Sequence, residues 1–226
     1  MKYKIKKLRK YPSSEIDWNK GVYLGMSMNN KMFDSKETIC QMVKIIPNHV
    51  KQIAVLVGDY LDRYNEQIFN GCSEAEAINK SLEKGIKLTS LFEKAVSNCE
   101  DIPSYNFIYS KQFSERDNYK KKLKKFANFY ATHNEFHKLV DYTIDVFLRR
   151  RRDEIKVKRE EAHRLCKYYL FEELVIFEML AEDNLRINIY PGNQLPIIKK
   201  IAAGELAGIS ESLEKLHAIE IKFRPV

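Results

Sequence analysis

Val-Tyr-Leu-Gly-Met-Ser-Met-Asn-Asn, at residues 22–30, is an apolar run that stops at a glycine and a serine and gives way to polar residues. The pattern predicts a strand at residues 22–27 whose last residue reaches the carboxyl edge of a sheet. Ligands bind at that edge in open α/β sheets, so Ser27 is a candidate nucleophile. Serine is also common in turns for purely structural reasons, because its hydroxyl bonds to nearby backbone groups. Asn29 stands where a hydrolase elbow needs a second glycine, which argues against a hydrolase triad.

The rest of the chain alternates between strand and helix patterns. Further strands are predicted at residues 52–58, 105–110, 185–190 and 218–223. The apolar run at 53–57 is typical of a strand buried on both faces of a parallel sheet. Helices are predicted at residues 36–46, 73–97, 114–132, 135–152, 156–182 and 195–212. This alternation predicts an α/β fold, with a Rossmann-like parallel sheet flanked by helices.

Length and composition narrow the class of protein. The chain has 226 residues, and the absence of a Pro/Gly/Ser-rich linker predicts a single domain, 1–226, with a sizeable core. Four widely spaced cysteines suggest reduced thiols in a cytoplasmic protein. No stretch approaches the ~18 apolar residues of a membrane span. The phosphate-binding glycine motifs are missing, so the sequence gives no sign of a nucleotide cofactor.

Positive charge is concentrated in two segments. Lys and Arg number 39 against 31 Asp and Glu, a net charge of +8. The clusters are a lysine run and an arginine run: Lys120, Lys121, Lys122, Lys124 and Lys125, then Arg149 to Arg152. Clustered cations suggest a polyanion partner, most commonly nucleic acid. They also occur as solvated helix faces and at helix C-termini, so charge alone leaves both interpretations open.

A glutamate occupies the apolar face of the predicted helix at 156–182. Glu173 completes a stripe of buried-type residues at helical spacing, and Glu172 lies off it; the stripe comprises Leu165, Tyr169, Ile176 and Leu180. A carboxylate on such a face is costly unless it is paired or hydrogen-bonded. Glu173 either forms a structural ion pair with a Lys or Arg, or receives the ammonium group of a substrate with help from Tyr169.

Two further groups are candidates for chemistry. Tyr190 ends a predicted strand, and its phenol falls beside Ser27 if the two strands run parallel; a tyrosine before proline is otherwise a packing residue. His133 and His137 lie four apart on a predicted helix with Glu135 between them. That spacing departs from the His-Glu-x-x-His zinc motif, and no third ligand is evident.

Three motifs, in this order along the chain, resemble those of the cyclodipeptide synthases. Gly25-x-Ser27-x-x-Asn30 is similar to the family's Gly-x-Ser-x-x-Asn signature, and Tyr169-x-x-x-Glu173 to its Tyr-x-x-x-Glu helix. Tyr190-Pro191 resembles the pair that marks one of two subfamilies, whereas Asn30 matches the other. Val175 stands where the family often has proline. The resemblance covers nearly all of the chain.

The resemblance implies a reaction and a set of roles. The expected fold is that of the catalytic domain of tyrosyl- and tryptophanyl-tRNA synthetases, and two aminoacyl-tRNAs are joined into a cyclic dipeptide by a ping-pong route without ATP, cofactor or metal. Ser27 becomes acylated, Glu173 and Tyr169 orient the substrate amine, and Tyr190 relays a proton.

Further roles follow from the resemblance and the charge pattern. Gly25, Leu24 and Asn30 are expected at the substrate, and tRNA is expected on the lysine run and on Arg149 and Arg150, with the lysines contributing more. A monomer in the cytoplasm, without membrane contact, is expected. The Glu172→Gln substitution is expected to be mild. The competing hypothesis is a non-catalytic RNA-binding module.

Overall fold

A computed structural model describes residues 3–97, 99–206 and 208–225. Within these residues the strand patterns form one six-stranded sheet: β1 (Tyr3–Tyr11), β2 (Gly21–Met26), β3 (Gln52–Val57), β4 (Ser104–Tyr109), β5 (Leu185–Pro191) and β6 (His217–Pro225). The helices are α1 (Lys36–Lys44), α2 (Arg63–Asn70), α3 (Glu74–Val96), α4 (Ser110–Ser114), α5 (Tyr119–Thr132), α6 (Asn134–Arg150), α7 (Arg159–Glu182) and α8 (Pro196–Ala202).

The order of the strands is that of a Rossmann-like sheet. Across the sheet they lie β1-β6-β5-β2-β3-β4, with β2 to β6 parallel and β1 antiparallel to β6. β2 and β5 are therefore the central pair, with β3 and β4 added on one side and β6 on the other. The crevice beyond the carboxyl ends of such a central pair is where doubly wound sheets bind ligands. The predicted fold class is confirmed, and the sheet places the ends of β2 and β5 at this crevice.

Each face of the sheet packs against its own helices. Side chains alternate along β2, so Tyr23 joins the apolar core beneath α5 to α8, and Leu24 joins the core beneath α1 and α3. Both side chains are fully buried. In β3 every residue after Gln52 is buried, as the apolar run at 53–57 predicts.

The helix patterns were less reliable than the strand patterns. All five predicted strands form, but β1 and α2 were not predicted. β1 is rich in lysine and pairs only through β6, because it forms the edge of the sheet, where exposed lysines are favoured. The helix predicted at 195–212 ends at Ala202, since Gly204 adopts φ +72° and closes it. The helix predicted at 114–132 begins only at Tyr119, as α5, and the short helix α4 that precedes it was not predicted.

The prediction of four reduced cysteines was wrong. Cys40 in α1 and Cys99 beyond α3 form a disulfide with their Cα atoms 6.0 Å apart, whereas Cys72 and Cys166 are free. The two bonded cysteines are 59 residues apart in sequence, and only the packing of α1 beside α3 brings them together. Among the described helices, none has both the length and the apolar character that crossing a bilayer requires.

Candidate active site

Ser27 lies at the crevice between the carboxyl ends of β2 and β5. Its carbonyl accepts a hydrogen bond from the Asn30 amide at 3.1 Å, which closes a turn directly after the strand. The side chain opens into a cavity of about 540 Å³, within the usual range for small-molecule sites. The cavity has polar residues around Ser27 and apolar walls that include Leu56, Leu61, Ile68, Phe147, Phe177 and Ile198. This combination suits a ligand with an apolar body and one polar end.

Tyr190 lies beside Ser27, as the parallel arrangement predicts. Leu24 is in register with Ile189, so Tyr190, the next residue of β5, lies level with Gly25, the next residue of β2. The Tyr190 hydroxyl is within hydrogen-bonding range of Ser27 and Asn30. Burial raises the pKa of Tyr190 above its ordinary value despite these hydrogen bonds, so the phenol keeps its proton at neutral pH.

Glu173 lines the same cavity, and the residues that the structure describes supply it with no cationic partner. Burial raises its pKa from 4.5 to about 8, and a hydrogen bond from Tyr169 opposes the rise. Its Oε2 atom is buried and has no hydrogen-bond partner in the described part of the chain. None of the ion pairs found among the described residues includes Glu173, which leaves the structural ion-pair alternative without support there. Glu173 thus lines the cavity and carries one carboxyl oxygen that has no hydrogen-bond partner in the described part of the chain.

Glu172, the neighbouring carboxylate, has a different environment. It is only 5% exposed. Arg63 Nη2 in α2 donates to Glu172 Oε1 at 2.6 Å, and the Tyr64 hydroxyl donates to the same oxygen at 2.7 Å. Removing one member of a buried ion pair is strongly destabilising. The expectation that Glu172→Gln is mild therefore does not fit the structure, because that change leaves the Arg63 guanidinium buried and unpaired.

The loop after Ser27 is fixed by side-chain amides. Asn30 Nδ2 donates to the Pro191 carbonyl at 2.6 Å, and Asn30 Oδ1 accepts from the Met32 amide at 3.0 Å. Asn29 Nδ2 donates to Asp62 Oδ1 in the turn that leads into α2, at 2.7 Å. Asn30 thus ties the end of β2 to the end of β5 while it lines the cavity.

Gly25 and Leu24 occupy opposite sides of β2. Gly25 lines the cavity, and a Cβ added to it would lie 3.5 Å from Tyr190 Cδ2, an ordinary contact. Leu24 is fully buried in the core on the other face of the sheet and does not line the cavity. The prediction that Leu24 contacts substrate was therefore wrong, because successive residues of a strand point to opposite faces.

The basic clusters are only partly free. Lys122 pairs with Glu178 at 3.5 Å and with Glu182 at 2.6 Å, and Lys125 also pairs with Glu178. The other three lysines of the run have exposed side chains. We call them the exposed α5 lysines: Lys120, Lys121 and Lys124. Arg150 lines the cavity that holds Ser27, and Arg149 is exposed beside it.

Sequence reasoning missed the contribution of α2 and of Arg151. Asp62, Asn65 and Ile68 line the cavity, and Arg151 lies at its rim. The signal for α2 is weak, since a short segment crowded with charged and amide side chains resembles a loop. The two histidines have other contacts: His133 stacks on Phe129, and His137 lies 3.2 Å from Asp141. No metal-binding group of three or more His, Cys, Asp or Glu side chains occurs among the residues that the structure describes.

The chain resembles known proteins in sequence and in fold. A family model described as cyclodipeptide synthase matches residues 13–207. No curated protein sequence gives a significant match. A cyclodipeptide synthase structure from Fluoribacter dumoffii superposes with a TM-score of 0.79 at 18% identity, covering 96% of this chain and 98% of that one.

Two more solved structures share the fold. The cyclodipeptide synthase of Candidatus Glomeribacter gigasporarum, bound to Phe-tRNAPhe, has a TM-score of 0.66 at 20% identity and coverage of 92% and 90%. A Mycobacterium tuberculosis protein, described as relating cyclodipeptide synthetases to type I tRNA synthetases, has a TM-score of 0.68 at 12% identity and coverage of 97% and 93%. Since the family model spans most of its length, the chain belongs to the cyclodipeptide synthase family.

Proposed function

We propose that this enzyme joins the aminoacyl groups of two aminoacyl-tRNAs into a cyclic dipeptide, with Ser27 as the nucleophile. The observation that supports it most directly is the arrangement of three groups around one cavity. Ser27, Tyr190 and Glu173 all line it, and among the described residues Glu173 Oε2 has no hydrogen-bond partner. A nucleophile, a proton carrier and an amine-binding group are what aminoacyl transfer needs. The Glomeribacter relative is bound to Phe-tRNAPhe, which supports aminoacyl-tRNA as the substrate class.

In the first step, Ser27 attacks the ester carbonyl of the first aminoacyl-tRNA. The bond from serine Oγ to the carbonyl carbon forms, the bond from that carbon to the ribose oxygen breaks, and the serine proton ends on the departing ribose hydroxyl. The acyl-enzyme divides one difficult transfer into two easier ones. Tyr190, held within hydrogen-bonding range of Ser27, is the proposed carrier of this proton.

Glu173 binds the α-amino group of the aminoacyl moiety. Its pKa of about 8 is close to that of an α-amino group, ~7.7–8.0. A protonated Glu173 therefore receives a neutral amine, and the proton is shared at little cost. The substrate amine thus supplies the missing hydrogen-bond partner of Glu173 Oε2, and the pair carries no net charge in the cavity.

In the later steps the tethered amine is the nucleophile. It attacks the ester of a second aminoacyl-tRNA, an amide bond forms, and the second tRNA leaves with a proton on its ribose oxygen. The free amine of the resulting dipeptidyl-enzyme then attacks the seryl ester. The ring closes, the ester bond to Ser27 breaks and the serine hydroxyl is regenerated with the proton released by the amine. Tyr190 is close enough to Ser27 to carry that proton.

The remaining parts of the proposal concern the surroundings of the site. The exposed α5 lysines, with Lys122, Lys125, Arg149 and Arg150, are proposed to contact tRNA phosphates, and Arg150 at the cavity is supported by its position. A monomeric single domain of the Tyr-Pro subfamily is proposed. Cytoplasmic action is proposed because aminoacyl-tRNA is made there, and not on the cysteines, since Cys40 and Cys99 are bonded.

The experiment is a turnover assay with a complete mixture of aminoacyl-tRNAs, analysed by mass spectrometry. The wild-type enzyme yields one or more cyclic dipeptides, and labelled aminoacyl groups become attached to Ser27. The Ser27→Ala variant yields neither product nor acyl-enzyme while keeping its melting temperature. A wild-type protein that binds tRNA but forms no acyl-enzyme and no dipeptide would show a non-catalytic RNA-binding module instead.

A further inference from the structure

A second, polar cavity adjoins the one that holds Ser27. It has a volume of about 410 Å³ and lies between α2 and the segment that links α6 to α7. Asn29, Asn65 and Arg151 belong to the walls of both cavities. Asn29 is two residues from Ser27, so their Cα atoms are at most about 7 Å apart. Whatever occupies the second cavity is therefore a direct neighbour of the reacting ester.

One wall of the second cavity is a rigid planar cation. The Arg151 guanidinium lies 3.6 Å from the centre of the Phe69 ring. Glu154 holds it in plane by accepting from Nε at 3.1 Å and from Nη2 at 2.6 Å. Phe69 covers one face of the plane, and the side chain remains partly exposed. A guanidinium fixed in this way is a stacking platform for a nucleic-acid base.

Two asparagines of α2 that line the second cavity offer hydrogen-bond acceptors with a fixed orientation. Asn65 Nδ2 donates to Asp62 Oδ1 at 2.8 Å, and Asn70 Nδ2 donates to Glu66 Oε2 at 2.7 Å. Because the carboxylates hold the amide nitrogens, the two amide oxygens are the groups left to accept. Adenine presents an exocyclic amine that donates, whereas guanine and hypoxanthine present a carbonyl oxygen at the same position.

The charge of the second cavity favours a base over a phosphate. Glu66, Asp153 and Glu154 line it together with two cations, Arg151 and Lys156. A phosphate is disfavoured where carboxylates outnumber cations. A neutral base with a donor edge and a stacking face meets the amides and the guanidinium without such repulsion.

From these contacts we infer that the second cavity holds the terminal adenine of the aminoacyl-tRNA. This inference rests on the proposed function, which places the ribose ester at Ser27. The adenine attached to the same ribose then lies in the adjoining second cavity. Adenine stacks on Arg151, and its amine donates to the oxygens of Asn65 and Asn70. The cavity thereby fixes the ribose before Ser27 attacks, a positioning effect of the kind that accelerates acyl transfer.

The test uses tRNAs that differ in a single terminal group. Transcripts ending in adenosine or in inosine are aminoacylated by a ribozyme, and the rate of Ser27 acylation is measured in single turnover. Inosine replaces the donor amine with an acceptor oxygen. The wild-type enzyme should use the inosine-terminated substrate roughly tenfold or more slowly, as expected for one reversed base-edge contact.

Variants show which residues distinguish the adenosine-terminated substrate from the inosine-terminated one. Asn70→Ala and Asn65→Ala should slow the adenosine-terminated substrate and leave the inosine-terminated one nearly unchanged, so the ratio approaches one. Arg151→Lys, which keeps the charge but removes the plane, should slow both substrates equally. Asn19→Ala is the matched control, because Asn19 is an exposed asparagine that also donates to a carboxylate, Asp17, but lies before β2 at the opposite edge of the sheet.

Each outcome separates this inference from the proposed function. Equal rates for the two substrates in the wild type would overturn the adenine site and leave cyclodipeptide synthesis standing. Discrimination that survives in both asparagine variants would place the base elsewhere and overturn it too. No acylation from either substrate would overturn the proposed function itself. Equilibrium dialysis with labelled AMP tests the alternative source, and tight AMP binding with equal acylation rates would assign the cavity to a free nucleotide.

Discussion

Glu172 and Glu173 are adjacent glutamates whose replacement by glutamine should change stability in opposite directions. Glu173 has no cationic partner among the described residues and its pKa is raised to about 8. Glu172 is held by Arg63 and Tyr64 in a buried ion pair. The two substitutions are chemically identical, so a difference between them reports only on the surroundings of each carboxyl.

The expected magnitudes follow from these surroundings. A pKa raised from 4.5 to about 8 destabilises the native state with ionised Glu173 by up to about 5 kcal/mol. Glutamine avoids this cost, so Glu173→Gln should stabilise the fold by about 3 kcal/mol at pH 7. Glu172→Gln should destabilise it by about 3 kcal/mol, because the glutamine oxygen keeps the Tyr64 hydrogen bond but not the charge.

The raised pKa of Glu173 also makes the stability of the protein depend on pH. The native state binds the extra proton at Glu173, so the wild-type protein loses stability as the pH rises from about 4.5 to about 8. The Glu173→Gln variant lacks this loss of stability. Its free energy of unfolding should exceed that of the wild type by an amount that grows over the same pH interval and then levels off. Urea unfolding of both variants and the wild type at pH 5, 7 and 8.5 measures these differences in the free energy of unfolding.

Activity provides the second readout. Glu173→Gln should form almost no cyclic dipeptide although it is the more stable protein, whereas the loss in Glu172→Gln should follow its unfolded fraction. Equal destabilisation by both substitutions would show that Glu173 is held by a native partner, and the amine-binding role would then fail.

Two other predictions concern the substrate. Gly25→Ala should leave the free energy of unfolding within about 0.5 kcal/mol of wild type, because the added Cβ meets only ordinary contacts. It should lower kcat/KM, because the methyl group enters the cavity beside Ser27; unchanged kinetics would show that the aminoacyl group binds elsewhere. Replacing the exposed α5 lysines with alanine should weaken use of aminoacyl-tRNA and flatten its salt dependence, since fewer counterions are released, and it should do so more than replacing Arg149 and Arg150. Wild-type rates at every salt concentration, measured for the lysine variant, would place the tRNA on another surface.

Local sequence patterns were sufficient to find the proposed nucleophile, Ser27, and two residues that line the same cavity. Ser27 and Tyr190 each end an apolar strand, and Glu173 interrupts an apolar stripe, so a window of a few residues identifies all three. Leu24 was misplaced although strand alternation alone assigns it to the opposite face from Gly25. The fold class followed from the alternation of elements, which needs no knowledge of contacts.

Long-range contacts account for what local patterns missed. The partner of Glu172 is Arg63, which lies 109 residues earlier in a helix that was not predicted. The Cys40–Cys99 disulfide joins residues 59 apart. Neither pair shares a local window, and each forms only because two distant elements pack together.

The distinct roles of the two glutamates depend on α2. Adjacent residues of a helix point about 100° apart, so Glu172 and Glu173 face different neighbours from the same turn of α7. Arg63 in α2 reaches Glu172 and neutralises it, while Asp62, just before α2, accepts from Asn29 and holds the loop that follows Ser27. One helix therefore stabilises one carboxylate and shapes the wall of the cavity, while none of the ion pairs among the described residues reaches the other carboxyl. A carboxylate on an apolar helix face indicates chemistry only when the packed neighbours supply no cation, and among the described residues that condition is met by Glu173 and not by Glu172.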